Sequence, residues 1–136
     1  MSPKEQLNVL AISHYVVGGL HALFGSFGLI HVSFGVAILL GLFPNESRTA
    51  AGPEMAMAAI FAIIGSIVVA AGWTLGIVTI LSGRRIARRR SRKFSIIVGA
   101  INCALLPFGT TLGIFTLILL SKDSIIQEYG ESPAPI

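Results

Sequence analysis

The stretch Gly83-Arg84-Arg85-Ile86-Ala87-Arg88-Arg89-Arg90-Ser91-Arg92-Lys93-Phe94 holds seven basic residues and no acid. It separates two apolar runs, Glu54 to Gly83 and Phe94 to Ser121, and a third, Leu7 to Phe43, precedes them. Each run exceeds the roughly 18 residues that carry a helix across a hydrocarbon core of about 30 Å. What remains is one polar loop, Pro44 to Pro53, and two polar ends. With 54% apolar residues, 12% charged residues and a mean hydropathy of +0.83, the chain is far from a soluble domain, in which about a quarter of residues are charged. The pattern predicts a single integral membrane domain over residues 1–136.

The net charge of +4 is misleading as a property of the whole chain. Seven of the ten Lys and Arg residues sit in the one block, and the remainder of the chain carries three bases against six acids. Short loops rich in Lys and Arg stay on the cytoplasmic side, so loop 84–93 is expected there. Arg84, Arg85, Arg88, Arg89, Arg90, Arg92 and Lys93 thus act as a topology anchor, and each attracts anionic headgroups by about 1 kcal/mol. They lack interleaved aromatics and a base-reading module, so nucleic acid is not an expected partner.

Leu7 to Phe43 would be about 55 Å long as one straight helix, nearly twice the hydrocarbon thickness. Gly25-Ser26-Phe27-Gly28 offers a stop-and-turn signal, and predicts a hairpin of helices 7–24 and 29–43. With helices 54–83 and 94–121, the expected fold is all-α: an integral membrane four-helix bundle made of two antiparallel helical hairpins. That threading places loop 44–53 and both termini outside; a single crossing of the first run would put the N-terminus inside instead. A re-entrant first hairpin is the alternative. No signal-peptide pattern is present at Met1-Ser2-Pro3-Lys4-Glu5. The tail 122–136, with Ser124 and Gln127 spaced as a helix cap, is expected to fray.

Small residues recur at helical spacing on every long run. They include Gly65, Gly72 and Gly76 in the second, and Ser95, Gly99, Asn102, Gly109 and Gly113 in the third. In lipid such stripes make helix interfaces, because close backbone approach replaces the missing hydrophobic force. Asn102 on its stripe predicts an interhelical hydrogen bond. Pro107 predicts a kink that frees the Cys103 carbonyl, with Thr110 and Thr111 available to satisfy it. Trp73, deep in its run, reads as packing.

On the first run Ala11, His14, Gly18, His21, Gly25 and Gly28 share one face. Folding at Gly25 to Gly28 would bring His31 beside His21. Intramembrane ionisable residues mark functional sites by default, and imidazole ligates metals, haem iron and chlorophyll magnesium. His14, His21 and His31 are therefore the candidate cofactor ligands. Neutral histidines bonded to carbonyls across a tight hairpin explain the same pattern without a cofactor, and two imidazoles do not complete a structural zinc site. The lone Cys103 excludes a disulfide within the chain. No phosphate loop, HExxH, GxSxG or paired intramembrane carboxylates occur, so enzyme chemistry is not expected.

His14-Tyr15-Val16-Val17-Gly18-Gly19-Leu20 and Leu106-Pro107-Phe108-Gly109-Thr110-Thr111-Leu112-Gly113-Ile114-Phe115-Thr116 resemble stretches of small four-span bacterial membrane proteins of unassigned function. The resemblance implies a multi-pass location in the bacterial inner membrane and carries no activity or site residue with it. The expected role is a non-catalytic membrane subunit or assembly module packing through its small-residue faces, in a homo-oligomer or with other membrane subunits. A haem-, pigment- or metal-binding protein is one alternative, and an oligomeric pore or transporter around Asn102 the other.

Overall fold

A computed structural model describes residues 1–43 and 52–130, so the expectations for most of loop 44–53 and for the tail beyond 130 lie outside the described residues. The described residues form six helices: α1 (Pro3–Ser26), α2 (Gly28–Leu39), α3 (Pro53–Ala87), α4 (Arg92–Cys103), α5 (Phe108–Leu120) and α6 (Asp123–Glu128). They make up two compact units, residues 1–20 with 76–136 and residues 21–75, to which α1 and α3 both contribute.

α1 starts at Pro3, earlier than its apolar run, for a local reason. The Ser2 amide donates to Glu5 Oε2 at 2.8 Å and the Glu5 amide to Ser2 Oγ at 3.3 Å, a reciprocal capping box, with proline at the first helical position where its missing N–H is harmless.

In the 21–75 unit the expected hairpin at Gly25 to Gly28 is absent. Gly25 faces Gly72, Gly28 faces Gly65, and Gly35 faces Ala58 and Ala62. As the number rises on α1 and α2 it falls steadily on α3, so the chain passes Phe27 without reversing and stays antiparallel to α3. The junction is a tightened turn, with Phe27 N–H donating to Phe24 O and Ile30 N–H to Phe27 O, each at 3.1 Å. Ser and Gly loosened the helix locally, but the glycine seam on both sides of Phe27 holds one direction. A Cβ on Gly72 would lie 2.5 Å from Gly25 Cα, and one on Gly28 2.6 Å from Gly65 O. Only glycine permits that approach.

In the other unit the third run is also different from the expected single helix 94–121. It breaks at residues 104–107 and folds back, so that Arg92 reaches Leu120 O at 2.8 Å and Gly99 meets Thr116. Pro107 withholds an N–H and disfavours helical geometry at Leu106, which is 84% exposed at the tip. The Cys103 carbonyl left over accepts a hydrogen bond from Thr110 Oγ1 at 2.9 Å. The single stripe read along the sequence is therefore two facing stripes, Ser95, Gly99 and Asn102 on α4 against Gly109, Gly113 and Thr116 on α5. At about 18 and 20 Å, neither arm matches the hydrocarbon thickness.

The core of this unit joins Leu7, Leu10 and Ala11 of α1, Ile86 of α3, Leu112 and Leu120 of α5, and Ile125 of α6. The tail therefore does not fray from residue 122. α6 docks through buried Ile125 and Ile126, beginning at Asp123 with no side-chain cap. At the arginine end, Arg89 Nη1 lies 3.5 Å from Asn8 Oδ1 and Nη2 3.5 Å from Lys4 O. The start of α1, loop 84–93 and the end of α5 thus gather at one end of the unit, where the four-span threading had set both termini opposite the loop.

Candidate functional site

Four helices of the terminal unit close a ring around buried polar side chains. His14 of α1 abuts Gly83 of α3, Thr79 of α3 meets Asn102 of α4, Gly99 of α4 meets Thr116 of α5, and Thr116 faces His14. The glycines set the spacing: a Cβ at Gly83 would lie 2.9 Å from His14 Cβ, and one at Gly99 2.9 Å from Thr116 Cγ2. His14, Thr79, Ser82, Ser95, Asn102 and Thr116 are all buried.

Most of their hydrogen bonds run back along their own helices. His14 Nδ1 is 2.9 Å from Leu10 O, Thr116 Oγ1 donates to Leu112 O at 2.7 Å and Asn102 Nδ2 to Val98 O at 2.8 Å. A carbonyl only accepts, so the His14 proton is on Nδ1, and Nε2 turns its lone pair towards Thr116 Oγ1 at 3.5 Å. Thr116 has one proton and its shorter bond is to Leu112, so the contact to His14 is weak. The clear interhelical bond is Asn102 Nδ2 to Thr79 Oγ1 at 3.2 Å. Ser82 Oγ, Ser95 Oγ and Asn102 Oδ1 are enclosed without a hydrogen-bond partner. The cluster offers hydrogen-bond donors and acceptors, and in its hydroxyl–imidazole pair, Thr116 with His14, the hydroxyl proton is already engaged by Leu112 O. Among the described residues no three His, Cys, Asp or Glu side chains come together as a metal set. Its chemistry fixes the register of four helices.

The basic block forms a second feature. The chain turns through left-handed backbone at Arg89 (φ 51°) and Ser91 (φ 55°). Arg84, Arg85, Arg88 and Arg90 line a hollow of about 320 Å³ with Leu81 and Ser91. Arg85 lies 4.0 Å above the Phe94 ring, a cation–π contact that steadies it. Arg92 is turned inward to α5, and Lys93 is exposed.

The third feature is the outer surface of the 21–75 unit. His21 and His31, expected to meet, are separated: the His21 carbonyl lies at the level of Gly72 and His31 Cβ at the level of Gly65, about 10 Å apart along α3. His21 is half-buried with Nδ1 unpartnered. His31 is exposed and stacks on Phe61, ring centres 5.6 Å apart and 17° from parallel. Phe24 of α1, Phe34 of α2 and Ile60, Ile64 and Ile67 of α3 are exposed as well. Trp73, half-exposed, donates from Nε1 to Ser26 Oγ at 3.1 Å.

Of the small residues expected at interfaces, Gly18, Gly65, Gly72, Gly76, Gly99, Gly109 and Gly113 all lie in contacts within this chain. Sequence reasoning missed Thr79 as the partner of Asn102 and Thr116 as the partner of His14. The signal was their place on the same stripes as the glycines. Compared with protein-family models, curated proteins and solved structures, the chain has no match.

Proposed function

We propose that the chain is a multi-pass integral membrane protein, of the bacterial inner membrane as its resemblance implies, that serves as a non-catalytic subunit or assembly module. The stretch Pro3–Leu39 and α3 are each long and apolar enough to cross a membrane, and α4 with α5 makes a re-entrant hairpin from the arginine side. Loop 84–93 is cytoplasmic, with the start of α1 and α6 beside it. This threading has two crossings where four were expected.

One observation carries the role. The 21–75 unit packs Gly25, Gly28, Gly35, Gly65 and Gly72 into its own seam and leaves the His31–Phe61 stack outward among exposed apolar side chains. An imidazole facing hydrocarbon is costly, whereas against protein it finds a partner. That favours a second copy or another membrane subunit on this face. Native mass measurement in mild detergent, with crosslinking of Phe61→Cys in a Cys103→Ser background, tests it. A discrete oligomer or complex crosslinked at position 61 is the expected result. A lone monomer without a crosslink in intact membranes contradicts the proposal.

A further inference from the structure

In the terminal unit, α1 and α5 do not close completely against each other on their outer side. They leave an apolar groove of about 680 Å³, walled by Val9, Val16, Phe108, Phe115 and Leu119, with Lys122 at one end and Thr111 near the other. Its walls carry half-exposed apolar side chains. The Lys122 end is also where the basic residues of the unit collect, since Arg92 bonds Leu120 O and Arg89 reaches Lys4 O. We infer that this groove holds one acyl chain of an anionic phospholipid, with the phosphate at Lys122 and the tail running towards Phe108. The inference rests on the membrane reading above.

Two matches support this occupant. From Phe108 to Leu119 the groove runs along about 17 Å of helix, and one leaflet is half of the roughly 30 Å core, about 15 Å. The groove is therefore about one tail long. The second match is charge. The Lys122 ammonium and the neighbouring basic end attract an anionic headgroup, as bases at a cytoplasmic interface do, while the groove beyond Gln6 and Ser13 offers no charge to hold a polar solute. Lys122 differs from the arginine hollow in being placed at the mouth of a tail-sized channel.

The test uses delipidated full-length protein in detergent, titrated with phosphatidylglycerol or phosphatidylcholine of identical chains and read by native mass spectrometry. A single basic residue is worth about fivefold in binding at an anionic surface. The first lipid bound should favour phosphatidylglycerol by about that factor, and Lys122→Gln should remove the preference while Arg88→Gln/Arg90→Gln leaves it. Phosphatidylglycerol with a photoreactive tail should label Val16, Thr111 or Phe115, and Val16→Trp should abolish the labelling. No headgroup preference, a preference kept in Lys122→Gln, or labels confined to other helices would each overturn the site. Recovery of the protein in the soluble fraction after alkaline carbonate would overturn the membrane reading instead.

Discussion

Replacing Gly113 by alanine adds a methyl group where α5 touches α4 backbone. The new carbon would contact Gly99 O and lie 2.5 Å from Cys103 Sγ and 2.7 Å from Cys103 N. Ordinary contacts begin near 3.5 Å, so the two arms must part by about 1 Å, and no flexible side-chain tip can absorb the shift. Such overpacking costs about 1–3 kcal/mol. Glycine to alanine in a helix also gains about 1 kcal/mol, which blurs a single measurement. Gly19→Ala supplies the reference, since a carbon added there meets nothing within 4 Å and shows the helix gain alone. The difference between the two variants should therefore be about 1–3 kcal/mol against Gly113→Ala. Reversible unfolding in mixed micelles, followed by circular dichroism, measures it. Equal stability, or Gly113→Ala the more stable, would refute the close-packed α4–α5 hairpin.

Three further outcomes follow from the same contacts. A double-mutant cycle of Asn102→Ala with Thr79→Val should give a coupling of about 0.6 kcal/mol, the average for such bonds in a membrane protein; zero coupling in the unfolding assay would remove the α3–α4 bond. Gly72→Leu, whose side chain would drive into Gly25 Cα and His21 O, should destabilise by several kcal/mol through overpacking and strain, and wild-type stability would contradict the seam of the 21–75 unit. The visible spectrum of purified protein should lack a Soret or pigment band, because His14 is enclosed by side chains and His31 is stacked on Phe61; a band lost in His14→Ala would move the account to the cofactor alternative.

Helix content, the arginine loop and the small-residue stripes were legible in the sequence because each rests on local composition and period. Direction was not. Gly25-Ser26-Phe27-Gly28 has the composition of a turn, yet His14, His21, Gly28 and Gly35 keep a seven-residue spacing straight through it, which is the mark of one continuous face. Pro107 signals a kink in the sequence, and a kink and a reversal share the same lost N–H. What separates them is whether the residues on either side can touch, and Gly99 and Gly113 supply that contact only in three dimensions. Asn102 was legible as a hydrogen-bonding residue from its stripe. Its partner Thr79 was not, since pairing α3 with α4 depends on how tightly loop 88–91 turns, and that rests on left-handed backbone at Arg89 and Ser91, which composition does not announce.

The central claim is that the chain crosses the membrane twice, with the start of α1, loop 84–93 and α6 on the cytoplasmic side. Single cysteines at Lys4, Ser47, Lys93 and Ser124, in a Cys103→Ser background, can be labelled in intact cells with a membrane-impermeant maleimide. The account predicts labelling at position 47 alone, with positions 4, 93 and 124 labelled only after permeabilisation. Labelling of positions 4 and 124 from outside, with 93 protected, would restore the four-span threading and contradict it.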